Sequence, residues 1–261
     1  MLKFIHITDT HLVEEGQVLY GLDPCLRLSQ CVDSILHDHS DAALCVVTGD
    51  LAHVGHRDAY RQLAVQLHRL PMPVLPILGN HDSRGNFKEH FPRVPTDVNG
   101  FVQYVAPIGQ YRGIFLDTNE PRVSHGVLCE QRAQWLKERL AEDEQPVLLF
   151  MHHPAFHVGI PSMDCISLLD AGPFQRAIEA EKHRIKHLFF GHIHRPIFGS
   201  WHGIPFSTLR GTNHQVALRL DDCMKVPGSH EPPQYGVVLL DEGIVTVHLH
   251  DFLDASERFW L

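Results

Sequence analysis

The strongest constraint on this chain is a recurring event, an apolar run that stops at a cluster of residues able to bind metal. It happens at Asp9-Thr10-His11, Gly49-Asp50, Gly79-Asn80-His81-Asp82, Met151-His152-His153-Pro154 and Gly191-His192-Ile193-His194. Short runs rich in Val, Ile and Leu suit strands covered on both faces. Such strands lie parallel and are joined by helices, so their carboxyl ends gather on one sheet edge. Clusters distant in sequence can therefore meet in space.

The run Leu2 to Thr8 reads as a strand, and so do Leu44–Thr48 and Val74–Leu78. Between them, Pro24 to His39 and Asp58 to Leu70 carry apolar residues at helical spacing (Leu26, Cys31, Val32, Ile35, Leu36; Tyr60, Leu63, Ala64, Leu67, Leu70). The opening third is thus β-α-β-α-β, with a ligand-rich loop after each strand. Strands are next expected at Phe101–Ala106 and Tyr111–Leu116, a helix at Glu130–Ala141 and a strand at Val147–Met151. A helix at Asp170–Glu181 and a strand at Ile185–Phe190 follow. After Pro196 the segments are all strand-like: Ile197–Trp201, Ile204–Thr208, Gln215–Leu220, Tyr235–Leu240 and Gly243–His250. The turn Asp241-Glu242-Gly243 suits a hairpin, and Asp221 to Pro233 reads as a polar loop.

Composition bounds the function classes. A chain of 261 residues, 44% hydrophobic and 20% charged, is an ordinary globular one. Its formal net charge of -9 argues against a broad face for long nucleic acid. There are 22 histidines where about six would be usual, which favours metal chemistry without locating it. His37, His39, His68, His90 and His183 fall on expected helices at positions that read as solvated. Six scattered cysteines, Cys223 among them, form no C-x-x-C pair, against a zinc ribbon or a disulfide framework. No leader segment or membrane span is expected, and a cytoplasmic enzyme is the default.

The residue types of the clusters fit two divalent ions side by side. Such a pair needs a shared carboxylate with separate ligands on each flank, and it commonly hydrolyses phosphate esters. Asp9 and His11, one residue apart, can reach the same ion, and Asp50 can bridge. Asn80 offers a carbonyl oxygen, and His152, His192 and His194 offer nitrogens. Nitrogen and oxygen donors without thiolate suit Mn, Fe, Co or Zn.

The order D-x-H, G-D, G-N-H-D, H-H-P, G-H-x-H resembles the calcineurin-like metallophosphoesterase superfamily. Its bacterial class III cyclic-nucleotide phosphodiesterases and glycerophosphodiesterases are the most similar branch. Gly49-Asp50-Leu51-Ala52, Ile77-Leu78-Gly79-Asn80-His81-Asp82 and Gly211-Thr212-Asn213-His214-Gln215-Val216 carry that likeness. Asn213 departs from the family pattern, where a small residue or Cys is more usual. The resemblance implies an α/β fold, a four-layer αββα sandwich of two mixed sheets flanked by helices, with a dinuclear centre at the carboxyl edge of the strands. It implies a catalytic domain over residues 1–217 and a C-terminal segment, 218–261, that completes the second sheet or forms a small cap or dimer contact. One ion would be held by Asp9, His11, Asp50 and His194, the other by Asp50, Asn80, His152 and His192. His152 is preferred to His153 because the family's ligand stands two residues before the proline.

His81 would face the substrate phosphate as donor or general acid, with Asn80 and His214 beside it. Asp82 would either orient a histidine or serve as a turn carboxylate. The ions would generate hydroxide that attacks phosphorus in line, without a covalent enzyme intermediate. Small phosphodiesters are the expected substrates, cyclic nucleotides of 3′,5′ or 2′,3′ type foremost. Glycerophosphodiesters, broad phosphoesterase activity or a metal-binding scaffold without turnover are the alternatives. Phe87, Phe91, Phe156 and His157 could stack on a base, although core packing is the more ordinary role for the phenylalanines. The apolar tail Phe252, Phe259, Trp260 and Leu261 leaves open a homodimer or higher homo-oligomer.

Overall fold

A computed structural model describes residues 1–221 and 225–260, so Cys223 and Leu261 lie outside the described residues. The elements run β1 (Leu2–Ile7), α1 (Pro24–Asp38), β2 (Cys45–Thr48), α2 (Arg57–Leu67), β3 (Val74–Ile77), α3 (Arg84–His90), β4 (Tyr104–Ile108) and β5 (Tyr111–Phe115). They continue α4 (Glu130–Leu140), β6 (Val147–Phe150), α5 (Pro161–Asp164), α6 (Gly172–Ile178), β7 (Ile185–Phe189), β8 (Ile197–Trp201) and β9 (Ile204–Thr208). The last are β10 (Gln215–Val216), β11 (Gly228–Ser229), β12 (Gln234–Asp241) and β13 (Ile244–Asp251). None of the described helices is long and apolar enough to cross a membrane.

The first sheet has the order β13-β12-β1-β2-β3, the second β4-β5-β6-β7-β9-β8. Strands β1, β2 and β3 are parallel to one another, as are β5, β6, β7 and β9; β12 is antiparallel to both β1 and β13, β4 to β5, and β8 to β9. Both sheets are therefore mixed, and helices cover their outer faces. Helix α1 shows how the sequence builds this layer. Asp23 caps it by accepting from the amides of Cys25 and Leu26, and Pro24 occupies the first turn where its missing N–H costs nothing. Leu28, Cys31, Val32 and Ile35 then fall on one buried stripe. On the far side, α4 and α6 bury Leu136, Leu140, Phe174 and Ile178 against the second sheet.

Aromatic rings fill the space between the sheets. Tyr104, Phe115, Phe150 and Phe189, from four consecutive strands, stack nearly parallel with centroids 4.7, 4.7 and 4.8 Å apart. Phe4 of β1 meets this ladder edge-on at 6.1 Å from Phe150 and 5.7 Å from Phe189. Cross-strand aromatic pairs add stability beyond their burial and pin the register.

Some expectations need correction. The C-terminal strands β12 and β13 do not complete the second sheet; β12 pairs antiparallel with β1, extending the first. They do so because Tyr235, Val238 and Leu240 of β12 bury against that sheet's core. Glu242 and Gly243, both at positive φ, make the tight turn between them. The strand expected over Gln215–Leu220 stops at Val216, and the loop after it contains β11, a two-residue partner that periodicity is too short to reveal. His39 is not solvated, for its ring packs on Tyr235 and His250. In the C-terminal tail, Phe252 packs against the core, whereas Phe259 and Trp260 are exposed.

Candidate metal centre

Parallel pairing brings the clusters together. In register, Ile7 lies beside Val47 and Thr48 beside Ile77, so the loops after β1, β2 and β3 emerge side by side. Asp9 N then donates to Gly49 O at 3.1 Å and His11 N to Asp50 O at 2.8 Å. In the second sheet, Phe150 pairs with Phe189, and Gly191 N donates to His152 O at 3.1 Å. The two sheet edges join where His152 Nδ1 donates to Thr48 O at 2.7 Å and His192 N to the Asp9 carboxylate at 3.1 Å.

All seven expected ligands converge. Asp9, His11, Asp50 and His194 place one ligand atom each within 4.8 Å of one another, and His152 and His192 form a second such group with His153. Asp50 stands between the two: its Oδ2 is 3.4 Å from His11 Nε2 and also 3.4 Å from His152 Nε2. Its Oδ1 accepts from His81 N at 2.9 Å, which fixes the carboxylate plane. His194 Nε2 lies 3.3 Å from Asp9 Oδ1 and 3.1 Å from His11 Nε2. Asn80 Oδ1 meets His192 Nδ1 at 3.1 Å and His153 Nε2 at 3.2 Å.

The donor set fits divalent cations. The ring nitrogens His152 Nε2 and His192 Nε2 are buried with no hydrogen-bond partner in the protein. Unsatisfied buried nitrogens are costly unless something completes them. Electrostatics agree. Burial keeps His192 neutral, its pKa pushed down to about 3, as a lone-pair donor should be. Burial works against a charge on His152 as well, yet the adjacent Asp50 carboxylate outweighs it and holds that pKa up at about 9. The carboxylates therefore call for positive charge at this spot.

Backbone conformation marks the same place. Asp9, His11, Asp50, His192 and His194 all adopt the left-handed region, at φ 52°, 46°, 49°, 67° and 50°. Each costs on the order of 1 kcal/mol in a non-glycine residue, and such strain concentrates at functional sites. Gly79 is needed for close approach, because a Cβ there would collide with Asp50 Oδ1 and N.

The supporting residues divide the two doubtful histidines. His152 uses Nδ1 on a carbonyl and leaves Nε2 facing Asp50. His153 spends both nitrogens on neighbours, Nδ1 on Thr118 Oγ1 at 2.8 Å and Nε2 on Asn80. Asp82 is a turn carboxylate rather than a histidine partner. It accepts from Gly79 N, Leu51 N, Ala52 N and the Tyr60 hydroxyl, tying the loop after β2 to the loop after β3. Burial, and then the charge of Asp50, raise its pKa to about 6.

A cavity of about 510 Å³ opens over the cluster. His11, Asp50, Asn80, His81, His192, His194 and His214 line it, so the expected substrate-facing residues are present. Phe87, Phe91, Phe156 and His157 are not part of its wall. Phe87 stacks on Phe91 at 4.9 Å, and Phe156 packs among Phe190, Trp201 and Phe206. Sequence reasoning missed Tyr20 and His53, which also line the cavity. His53 was within reach, standing three residues after Asp50 on the same turn. Tyr20 was not, because a single aromatic in an irregular loop carries no spacing signal.

The comparisons agree with this geometry. The family model for calcineurin-like phosphoesterases matches residues 2–196, about three quarters of the chain. A "probable cyclic nucleotide phosphodiesterase" of Rhodopseudomonas palustris is 44% identical over 100% of this chain and 96% of its own length. A "probable glycerophosphodiester phosphodiesterase GpdQ" of Arcobacter nitrofigilis is 30% identical, covering 88% of this chain and 85% of that one. Among solved structures, a purple acid phosphatase from yellow lupin shares the fold with a TM-score of 0.70 at 15% identity, over 98% of this chain and 52% of its own. A cluster of buried Asp, Asn and His on the joined edges of two sheets, and a family match across the segment that supplies it, lead to one conclusion: the chain belongs to the calcineurin-like phosphoesterase family.

Proposed function

We propose that this chain hydrolyses small phosphodiesters, cyclic nucleotides foremost, with two divalent cations held by Asp9, His11, Asp50 and His194 on one side and Asp50, Asn80, His152 and His192 on the other. The observation that carries this reading is the position of Asp50, whose Oδ2 is equidistant from His11 and His152. Two divalent ions, drawn from Mn, Fe, Co and Zn, supply Lewis acidity toward the phosphoryl oxygens and an activated water.

The chain's own residues do the rest. His81 lines the cavity with its Nδ1 tied to His53 O at 2.5 Å, so its Nε2 is the nitrogen left for a phosphoryl or leaving-group oxygen. Asn80 and His214 border the same space and orient the ester.

The wall favours a diester with an apolar, planar substituent. Among the described lining residues there is no lysine or arginine, so no side-chain cation awaits the extra charge of a monoester or a nucleic-acid backbone. Met163, Ile166, Val216 and Val226 make an apolar flank, and the Tyr20 ring stands edge-on to His214 at 4.6 Å. Such a flank suits a nucleobase better than a glycerol headgroup. The relative from R. palustris, named for cyclic nucleotides, supports the same choice.

The test is a panel. Protein stripped by chelator and reloaded with Mn²⁺ is assayed against 3′,5′-cyclic AMP, 2′,3′-cyclic AMP, glycerophosphocholine, bis(p-nitrophenyl) phosphate and p-nitrophenyl phosphate. Diesters should be turned over in preference to the monoester, with a cyclic nucleotide ahead of glycerophosphocholine. Two Mn²⁺ bound with no turnover of any ester would leave a scaffold and overturn the enzymatic reading.

A further inference from the structure

The ligand histidines differ in how their second nitrogen is held. His152 gives Nδ1 to the carbonyl of Thr48 at 2.7 Å, and His194 gives Nδ1 to the carbonyl of His214 at 2.8 Å. A carbonyl accepts only, so both rings are locked with Nε2 toward the cluster. His11 has the same orientation, Nε2 facing Asp50, but its Nδ1 meets a side chain, His53 Nδ1, at 3.2 Å. Two imidazole nitrogens at that distance require one to donate and the other to accept. For His11 Nε2 to keep a lone pair for a cation, its proton must sit on Nδ1, and His53 Nδ1 must be the acceptor.

His53 also touches the phosphate-facing histidine. Its ring stacks on His81 at 4.9 Å with planes 18° apart, and its carbonyl takes the His81 Nδ1 proton at 2.5 Å. Its own backbone is fixed, with His53 N donating to Leu12 O at 2.9 Å and Ala52 N held by Asp82.

We infer that His53 is a positioning residue that serves both halves of the site: its Nδ1 sets the tautomer and angle of His11 as a ligand, and its ring face sets His81. The inference rests on the cation-binding reading given above and deepens it. It separates two properties of one side chain, an acceptor nitrogen and a flat face, that different substitutions remove one at a time.

His53→Phe keeps the face and removes the acceptor; His53→Asn keeps an acceptor oxygen at the Nδ1 position and removes the face. Each metal-free protein is titrated with Mn²⁺ by calorimetry, and steady-state turnover of bis(p-nitrophenyl) phosphate is measured at saturating Mn²⁺. The wild type should show two sites. H53F should weaken one of them by about 10- to 100-fold and spare the other. H53N should bind both within a few-fold of wild type, while its kcat falls more than its KM changes. H53F with two wild-type affinities, or H53F and H53N with the same profile, overturns the inference. A wild-type protein that takes up no Mn²⁺ sinks instead the cation-binding reading beneath it.

Discussion

The Tyr60 hydroxyl donates to Asp82 Oδ1 at 2.9 Å and accepts from Ser83 N at 2.8 Å, so a tyrosine of helix α2 clasps the loop that carries Asn80 and His81. Removing the carboxylate strands more groups than removing the phenol. Asp82→Ala leaves the amides of Gly79, Leu51 and Ala52 and the Tyr60 hydroxyl without their acceptor. Buried unmade bonds cost about 1–3 kcal/mol each, partly relieved by entering water. Urea denaturation in chelator should show Asp82→Ala destabilised by roughly 3 kcal/mol or more, and Tyr60→Phe by about 1–2 kcal/mol. Equal losses would mean the three amides find other partners.

Asp50 reaches toward both halves of the cluster, so its loss should be felt in both. Asp50→Ala should abolish stoichiometric uptake of both cations, read by elemental analysis after gel filtration, and lower diester turnover at least about a thousandfold. Retention of one full equivalent of metal would restrict Asp50 to one ion.

His81 donates its backbone amide to Asp50 and its ring Nδ1 to a carbonyl, and neither contact needs a cation. His81→Ala should therefore keep metal content while turnover drops by about 10²–10⁴-fold, the usual span for a missing acid–base group. Parallel loss of metal and activity would make the ring a ligand.

His6 gives a pH signature unrelated to catalysis. It is fully buried, its Nε2 on Thr48 Oγ1 at 2.8 Å, and burial above all pushes its pKa from 6.5 down to about 3. Below pH 6.5 the unfolded chain takes up a proton there that the native protein refuses until about pH 3. The unfolded state then binds more protons, so stability rises with pH and is lost on acidification through that window. Between pH 7 and pH 5 the wild type should lose about 2 kcal/mol more than His6→Gln, which keeps a hydrogen-bonding group but does not titrate. Parallel stability curves for the two proteins across this range would show that the native ring charges too.

Much of this was legible because the code is local. Val46 and Val47 announce a covered strand, and Gly49-Asp50 announces what its end delivers. The seven candidate ligands could be named because each follows such a run, and the parallel register then brings them together. What stayed hidden depends on partners distant in sequence. Whether β12 would join β1 or the other sheet is set by which core accepts Tyr235 and Val238, and no spacing encodes that. His53 stands close enough to Asp50 in sequence to be suspected, but its role comes from His11, 42 residues earlier. Asp82 read equally as a histidine's partner or a turn carboxylate, and the four donors that decide for the second became visible only once two loops were folded against each other.

The row of rings from Tyr104 to Phe189 bears on the chemistry it never touches. Phe150 stands two residues before His152, and Phe189 three before His192. A strand that slid by one position would turn its ring out of the stack and send its imidazole to the opposite side of the sheet. Interlocked aromatics thus act as a vernier for the cluster above them. Variation in that hydrophobic layer should surface first as altered metal uptake, before any loss of the fold itself.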